Sequence, residues 1–165
     1  METTGHGALR LDPDGFERVQ RLAMYEIVCA MLDLTGDVQR TLGLRPDACQ
    51  IYMLVAVTAV QRYARAPDAA HVGAGPLPRG VTGTVSRRRL ADASGLPRET
   101  VARHVRHLIE RGLVVEHGRG RLSIPPGLLR DLAPTGLPER LGRRSAALAT
   151  ALTRLEVLVP AERRR

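Results

Sequence analysis

Arg98, Glu99 and Arg103 fall within two helical turns of one another, and their side chains suit the reading of base edges. An arginine fork bonds the O6 and N7 of guanine bidentately, and a glutamate accepts from the N4 amine of cytosine. The three together suit a G·C-containing half-site. A glutamate turned toward a duplex is repelled by phosphate unless it reads a base or orients an arginine. Its position between arginines therefore argues for sequence-specific readout rather than general affinity for a polyanion. Arg87, Thr100, Arg106, Arg119 and Arg121 are candidates for contacts to the phosphate backbone, which add salt-dependent affinity with little sequence information. Arg119 and Arg121 are weighed against the plainer reading of solvated loop residues.

The stretch from Ser86 to Ile124 supplies the elements that would position these groups. Ser86 is a candidate N-cap, Leu90 and Ala93 form an apolar stripe at helical spacing, and Gly95 tolerates the left-handed conformation needed just past a helix end. The first helix is expected to stop at Ser94. Leu96 and Pro97 then restart the chain, because a proline costs little where its missing N–H would have had no intrahelical partner. A second helix is expected over 97–111. On it Val101, Val105 and Leu108 share one face, which leaves Arg98, Glu99, Ala102, Arg103 and Arg106 on the other. Leu113–Glu116 reads as a strand, His117–Gly120 as a turn and Arg121–Ile124 as the returning strand. Helix, tight turn, helix and basic hairpin in that order make a mainly α fold, a winged helix-turn-helix with a small β-hairpin wing and flanking terminal helices. In such a fold the N-terminal part of the second helix is the part that reaches the floor of the major groove.

The run Gly95-Leu96-Pro97-Arg98-Glu99-Thr100-Val101-Ala102-Arg103 resembles the turn and recognition helix of the catabolite activator protein (Crp/Fnr-type) family, in which a glycine, two residues and Arg-Glu-Thr-Val-x-Arg recur. The resemblance covers roughly a quarter of the chain. It implies that Arg98, Glu99 and Arg103 meet base edges and that Arg87 and Arg106 meet the backbone. Pro97 stands where that family usually has serine, so a hydroxyl contact to phosphate is not implied. Residues 1–75 read as helical and offer no counterpart to that family's cyclic-nucleotide domain. The order of long N-terminal helix, winged domain and C-terminal helix also resembles MarR-type regulators, which implies dimerisation through terminal helices and a ligand cleft. No residue cluster identifies an effector.

The 165 residues carry a formal net charge of +8, and the pI of about 11 favours an anionic partner. All 25 basic residues are arginine and none is lysine, a bias that, with abundant Ala, Gly and Pro, marks a GC-rich bacterial genome. Placement of the charge is more telling than its sum. From Ser86 to Arg121 nine arginines stand against Asp92, Glu99, Glu110 and Glu116. Cys29 and Cys49 sit in apolar helical patterns and read as reduced, buried thiols. The N-terminus lacks the apolar core of a signal peptide, and Ile51–Val60 is about half the length of a membrane span. A cytoplasmic protein with no membrane partner is expected.

Residues 1–12 read as disordered. Residues 13–45 read as a helical region, with Asp12 as N-cap, Pro13 at the first position and Phe16, Val19, Ala23, Ile27, Ala30 and Leu34 at helical spacing. Thr35-Gly36-Asp37 is expected to break that helix. The winged domain is expected over 46–125. It would open with a long helix from Pro46 to about Ala66, and 67–84 is read as a flexible loop rich in Gly, Pro and Ala. That loop has no Gly-Lys-Ser/Thr to hold a phosphate. Residues 126–160 read as a second helical region. There Leu141, Ser145, Leu148, Leu152, Leu155 and Val159 form a heptad seam, suited to a homodimer or to packing on the winged domain.

His104, His107 and His117 lack further ligands at suitable spacing, so no metal or other cofactor is expected. No catalytic motif is present, and the chain reads as a non-enzyme. The expectation is a double-stranded DNA-binding transcriptional regulator, with a winged-helix protein-interaction module or a replication or plasmid-maintenance module as alternatives.

Overall fold

The computed structural model describes residues 9–64 and 83–161. The elements run β1 (Leu9–Leu11), α1 (Pro13–Arg18), α2 (Gln20–Leu42), α3 (Pro46–Ala64), β2 (Val85–Ser86), α4 (Arg87–Ser94), α5 (Arg98–Glu110), β3 (Val115–His117), β4 (Arg121–Ser123), α6 (Leu128–Leu132), α7 (Leu137–Arg154) and β5 (Leu158–Pro160), with single 3-10 turns at Gly118–Gly120 and Ala133–Thr135. They fall into two compact units, one of residues 38–138 and one of residues up to 37 together with those from 139 onward.

The 38–138 unit is a winged helix-turn-helix. α3 is apolar around much of its circumference, and Cys49, Ile51, Val55 and Ala59 are fully buried. α4 and α5 pack on it and on each other, closing a core with Leu90, Val101, Val105 and Leu108. A three-stranded antiparallel sheet of order β2-β4-β3 completes it, with Val85 opposite Leu122 and Val115 opposite Ser123. Leu122 and Val114 bury completely or nearly so, so the wing is rooted in the same core as the helices.

Local signals set the helix ends. Ser86 caps α4 by accepting from the Arg89 N–H, and Gly95 at φ +70° closes it, its N–H donating to the Ala91 carbonyl. Pro97 is the N-cap of α5, and the helix proper starts at Arg98. At its far end the N–H of Leu113 donates to the Leu108 carbonyl and that of Gly112 to Ile109, the paired closure that needs a left-handed residue, here Gly112 at φ +68°. Strand β3 begins at Val115, two residues later than expected, because Leu113 and Val114 complete this closure.

The other unit departs from the sequence reading in three places. Leu9–Leu11 is an ordered strand within the segment expected to be disordered, pairing antiparallel with Leu158–Pro160; residues 1–8 lie outside the described residues. α2 continues through Thr35-Gly36-Asp37 instead of breaking. A mid-helix glycine costs about 1 kcal/mol, and here the helix gains the contact of buried Asp37 with the Arg144 guanidinium, Nε to Oδ2 at 2.5 Å. Finally, α7 stops at Arg154, short of the expected seam. Val157 N–H donates to Leu152 and Glu156 N–H to Thr153, with Glu156 at φ +58° in the place usually taken by glycine. Val159 therefore lies in β5. Leu148, Leu152 and Leu155 pack within their own unit against Phe16, Val19, Ala23, Ile27 and Val157. Gly15 is fixed by close approach, since a Cβ there would drive into the Glu156 carbonyl oxygen.

Of the expected loop, residues 67–82 lie outside the described residues, as does the expected helix end at about Ala66. Gly83 donates to the Ala59 carbonyl at 2.8 Å, and Thr84 leads directly into β2.

Candidate nucleic-acid interface

α5 divides its residues by chemistry. Val101, Val105 and Leu108 are fully buried, which turns the opposite stripe outward whatever its composition. On that stripe Arg98, Glu99, Arg103, Arg106 and His107 are exposed, and Thr100 and Ala102 are half-buried. Arg98 and Glu99 occupy the first turn, where a carboxylate is favoured by the helix dipole and where Pro97 offers no side-chain cap to the free N–H groups. Arg98, Glu99, Arg103 and Arg106 make no hydrogen bond or ion pair among the described residues. These residue types on one outward face can donate to guanine, accept from cytosine and neutralise phosphate.

The wing is braced at its base. Arg87, in the first turn of α4, bonds Glu116 on β3 bidentately, Nη1 to Oε1 at 2.7 Å and Nη2 to Oε2 at 2.8 Å. These bonds raise the arginine's pKa and hold the Glu116 carboxyl below its ordinary range. Arg121 turns toward the strand that enters α4, Nε donating to Thr84 Oγ1 at 2.9 Å and Nη2 to the Thr84 carbonyl at 3.1 Å. His117 Nε2 lies 2.7 Å from Ser123 Oγ across the hairpin. Only the tip stands clear: Arg119 is exposed at φ +62°. Of the expected backbone-contacting residues, Arg106 and Arg119 are thus open on the surface and Thr100 is partly covered. Arg87 and Arg121 already hold internal partners.

Sequence reasoning missed Glu116 and Thr84 as partners of those arginines. It also missed Arg111, whose Nη2 donates to the Leu42 carbonyl at 2.5 Å and Nη1 to Gly43 at 3.2 Å. That contact satisfies carbonyls left over at the end of α2. Glu116 had one sequence signal, a carboxylate at the end of an apolar run whose neighbouring charged residues along the chain, Arg111 and Arg119, are both arginines.

Between α3 and α5 runs a groove of about 570 Å³ lined by Arg45, Pro46, Asp47, Arg103, His104 and His107. His104 is mostly buried at the edge of the apolar face, its Nε2 lying 3.9 Å from Asp47 Oδ2 without a hydrogen-bond partner among the described residues. Among the described residues no group of three His, Cys, Asp or Glu side chains is placed to hold a metal. No described helix is long and apolar enough to cross a membrane. Cys49 is buried, which pushes its thiol pKa up, while Cys29 is partly exposed; neither is in a disulfide.

The fold places the chain in a class, the proteins built on a winged helix-turn-helix, and the outward face of α5 is basic. Residues 82–115 match the family model described as winged helix-turn-helix DNA-binding, a span that includes all of α4 and α5 and reaches the first residue of β3. Comparison with curated proteins and with solved structures found no match.

Proposed function

We propose that the chain is a sequence-specific transcriptional regulator that binds double-stranded DNA with α5 in the major groove. The observation that carries this reading is the segregation on α5, where three fully buried aliphatic residues fix an opposite face bearing Arg98, Glu99 and Arg103. In this reading those three meet base edges, in the manner implied by the resemblance to the catabolite activator family. Thr100, Arg106 and Arg119 hold the backbone. Arg87 and Arg121 contribute with the guanidinium N–H groups left over, since each has five donors and spends two internally. Their internal bonds would pre-orient them. The regulator acts in the cytoplasm as a homodimer, because one recognition helix reads few base pairs and a two-fold pair matches a palindromic operator.

The test is selection of binding sites from random duplexes by the purified full chain, followed by sequencing. A recurring inverted repeat with G·C pairs in each half-site is expected. Selected fragments that share no motif would refute specific readout.

A further inference from the structure

α2 is apolar on both sides. One side carries Ala23 and Ile27 into the core of its own unit. The other carries Leu22, Met24, Tyr25, Val28, Met31 and Leu32, which remain between 43% and 69% exposed. At 100° per residue these six span half of the helix circumference; the charged residues at those azimuths are Arg21 and, about two turns beyond the patch in line with Leu22, Arg40. Single exposed apolar residues are ordinary, but a contiguous patch of this kind marks an interface. Its area is on the order of 600 Å² per chain, against the ~800 Å² per partner of a standard stable interface.

We propose that this outer face of α2 is a self-association surface, on which a second copy of the chain lays the same helix antiparallel about a two-fold axis at Val28. The residue positions are self-complementary about that point. Antiparallel pairing centred on Val28 sets Tyr25 against Met31 of the second copy, a favourable sulfur–aromatic combination, and Met24 against Leu32. Five of the six exposed residues are so matched. Shifting the centre by half a residue leaves a single pairing, Tyr25–Leu32 in one direction or Met24–Met31 in the other. Charge agrees with the same centre, because Arg21 meets neutral Thr35 rather than its own copy. With interaxial distances of about 8–10 Å, Val28 of each copy meets its twin on the axis. This names the surface for the homodimer proposed above and stands on α2 alone, independent of DNA. It also relocates the contact: the C-terminal seam is largely spent inside its own unit.

Sedimentation equilibrium on the full chain without DNA tests it. The wild type is expected at two-chain mass in the micromolar range, and Tyr25→Gln with Leu32→Gln is expected to weaken association about 100-fold. Both substituted residues are exposed, and thermal melts of the variants check that the fold persists. A geometric test runs beside it in a Cys29→Ser background. Val28→Cys should cross-link to its copy on oxidation, whereas Leu22→Cys, with copies about 18 Å apart along the axis, should not. A dimer that survives both glutamine substitutions and leaves Val28→Cys uncross-linked overturns this surface but leaves the dimer reading standing. A wild-type chain of single-chain mass at about 100 µM overturns both, as does a monomer that instead partitions onto phosphatidylcholine vesicles.

Discussion

Replacing Arg103 by alanine separates recognition from folding. The side chain is exposed and has no partner among the described residues, while the contacts that hold α5 come from Val101, Val105 and Leu108. Alanine is also the better helix former, so stability should change by less than about 0.5 kcal/mol. Binding is another matter. On the proposed reading the variant loses a bidentate guanine contact, which costs about 1–3 kcal/mol, or about 5- to 150-fold in affinity, and falls on the cognate sequence. Arg106→Ala, one turn on along the same exposed stripe, should weaken all duplexes alike and flatten the slope of log affinity against log salt by about one. Fluorescence anisotropy with a selected duplex and a scrambled one, over about 50 to 300 mM salt, reads both quantities. The reasoning fails if Arg103→Ala weakens the two duplexes equally, or if its melting temperature drops as far as that of a core variant.

Leu108→Ala, at a fully buried position, should cost about 2–5 kcal/mol in denaturant titration; a value under 1 kcal/mol would mean that α5 is not packed as described. Glu156→Gly should stabilise by about 0.5–1 kcal/mol, because it relieves a left-handed backbone at φ +58° while giving up only an exposed 3.4 Å ion pair with Arg18. A lowered melting temperature would contradict that ledger. Glu116 is held as a carboxylate by Arg87, so its folded pKa lies below the unfolded one. The pair's contribution is then present above the ordinary carboxylate pKa and lost as pH falls through the lowered value. Melting curves of wild type and Glu116→Gln should accordingly differ most near pH ~7 and converge as pH falls through and below the lowered Glu116 value. A gap that stays constant with pH would dissociate it from the ion pair.

The winged half of the chain is legible in the sequence because its signals are local. Ser86 and Gly95 each impose a backbone conformation on their immediate neighbours, and the spacing of Val101, Val105 and Leu108 fixes which side of α5 faces out. The terminal half is less legible because its determinants are distant in sequence. Gly36 signals a break only until Arg144, more than a hundred residues on, engages Asp37 in the same turn. The end of α7 is hidden for a related reason. A glutamate takes the left-handed position, and what holds it there is the packing of Val157 with Leu152 and Ala23. At the interface, outward placement could be read from period alone, but the occupation of Arg87 and Arg121 could not. Their partners come from strand register, which no local pattern encodes.

The bracing of the wing bears on the kinetics of encounter. Two arginines tie its base to the start of α4 before any ligand arrives, so the conformational entropy of the hairpin has already been lost in folding. A surface presented in this rigid form need not be ordered during docking. Its association rate should then depend on long-range attraction and salt, and Arg119 at the tip remains the one wing arginine still at liberty to search.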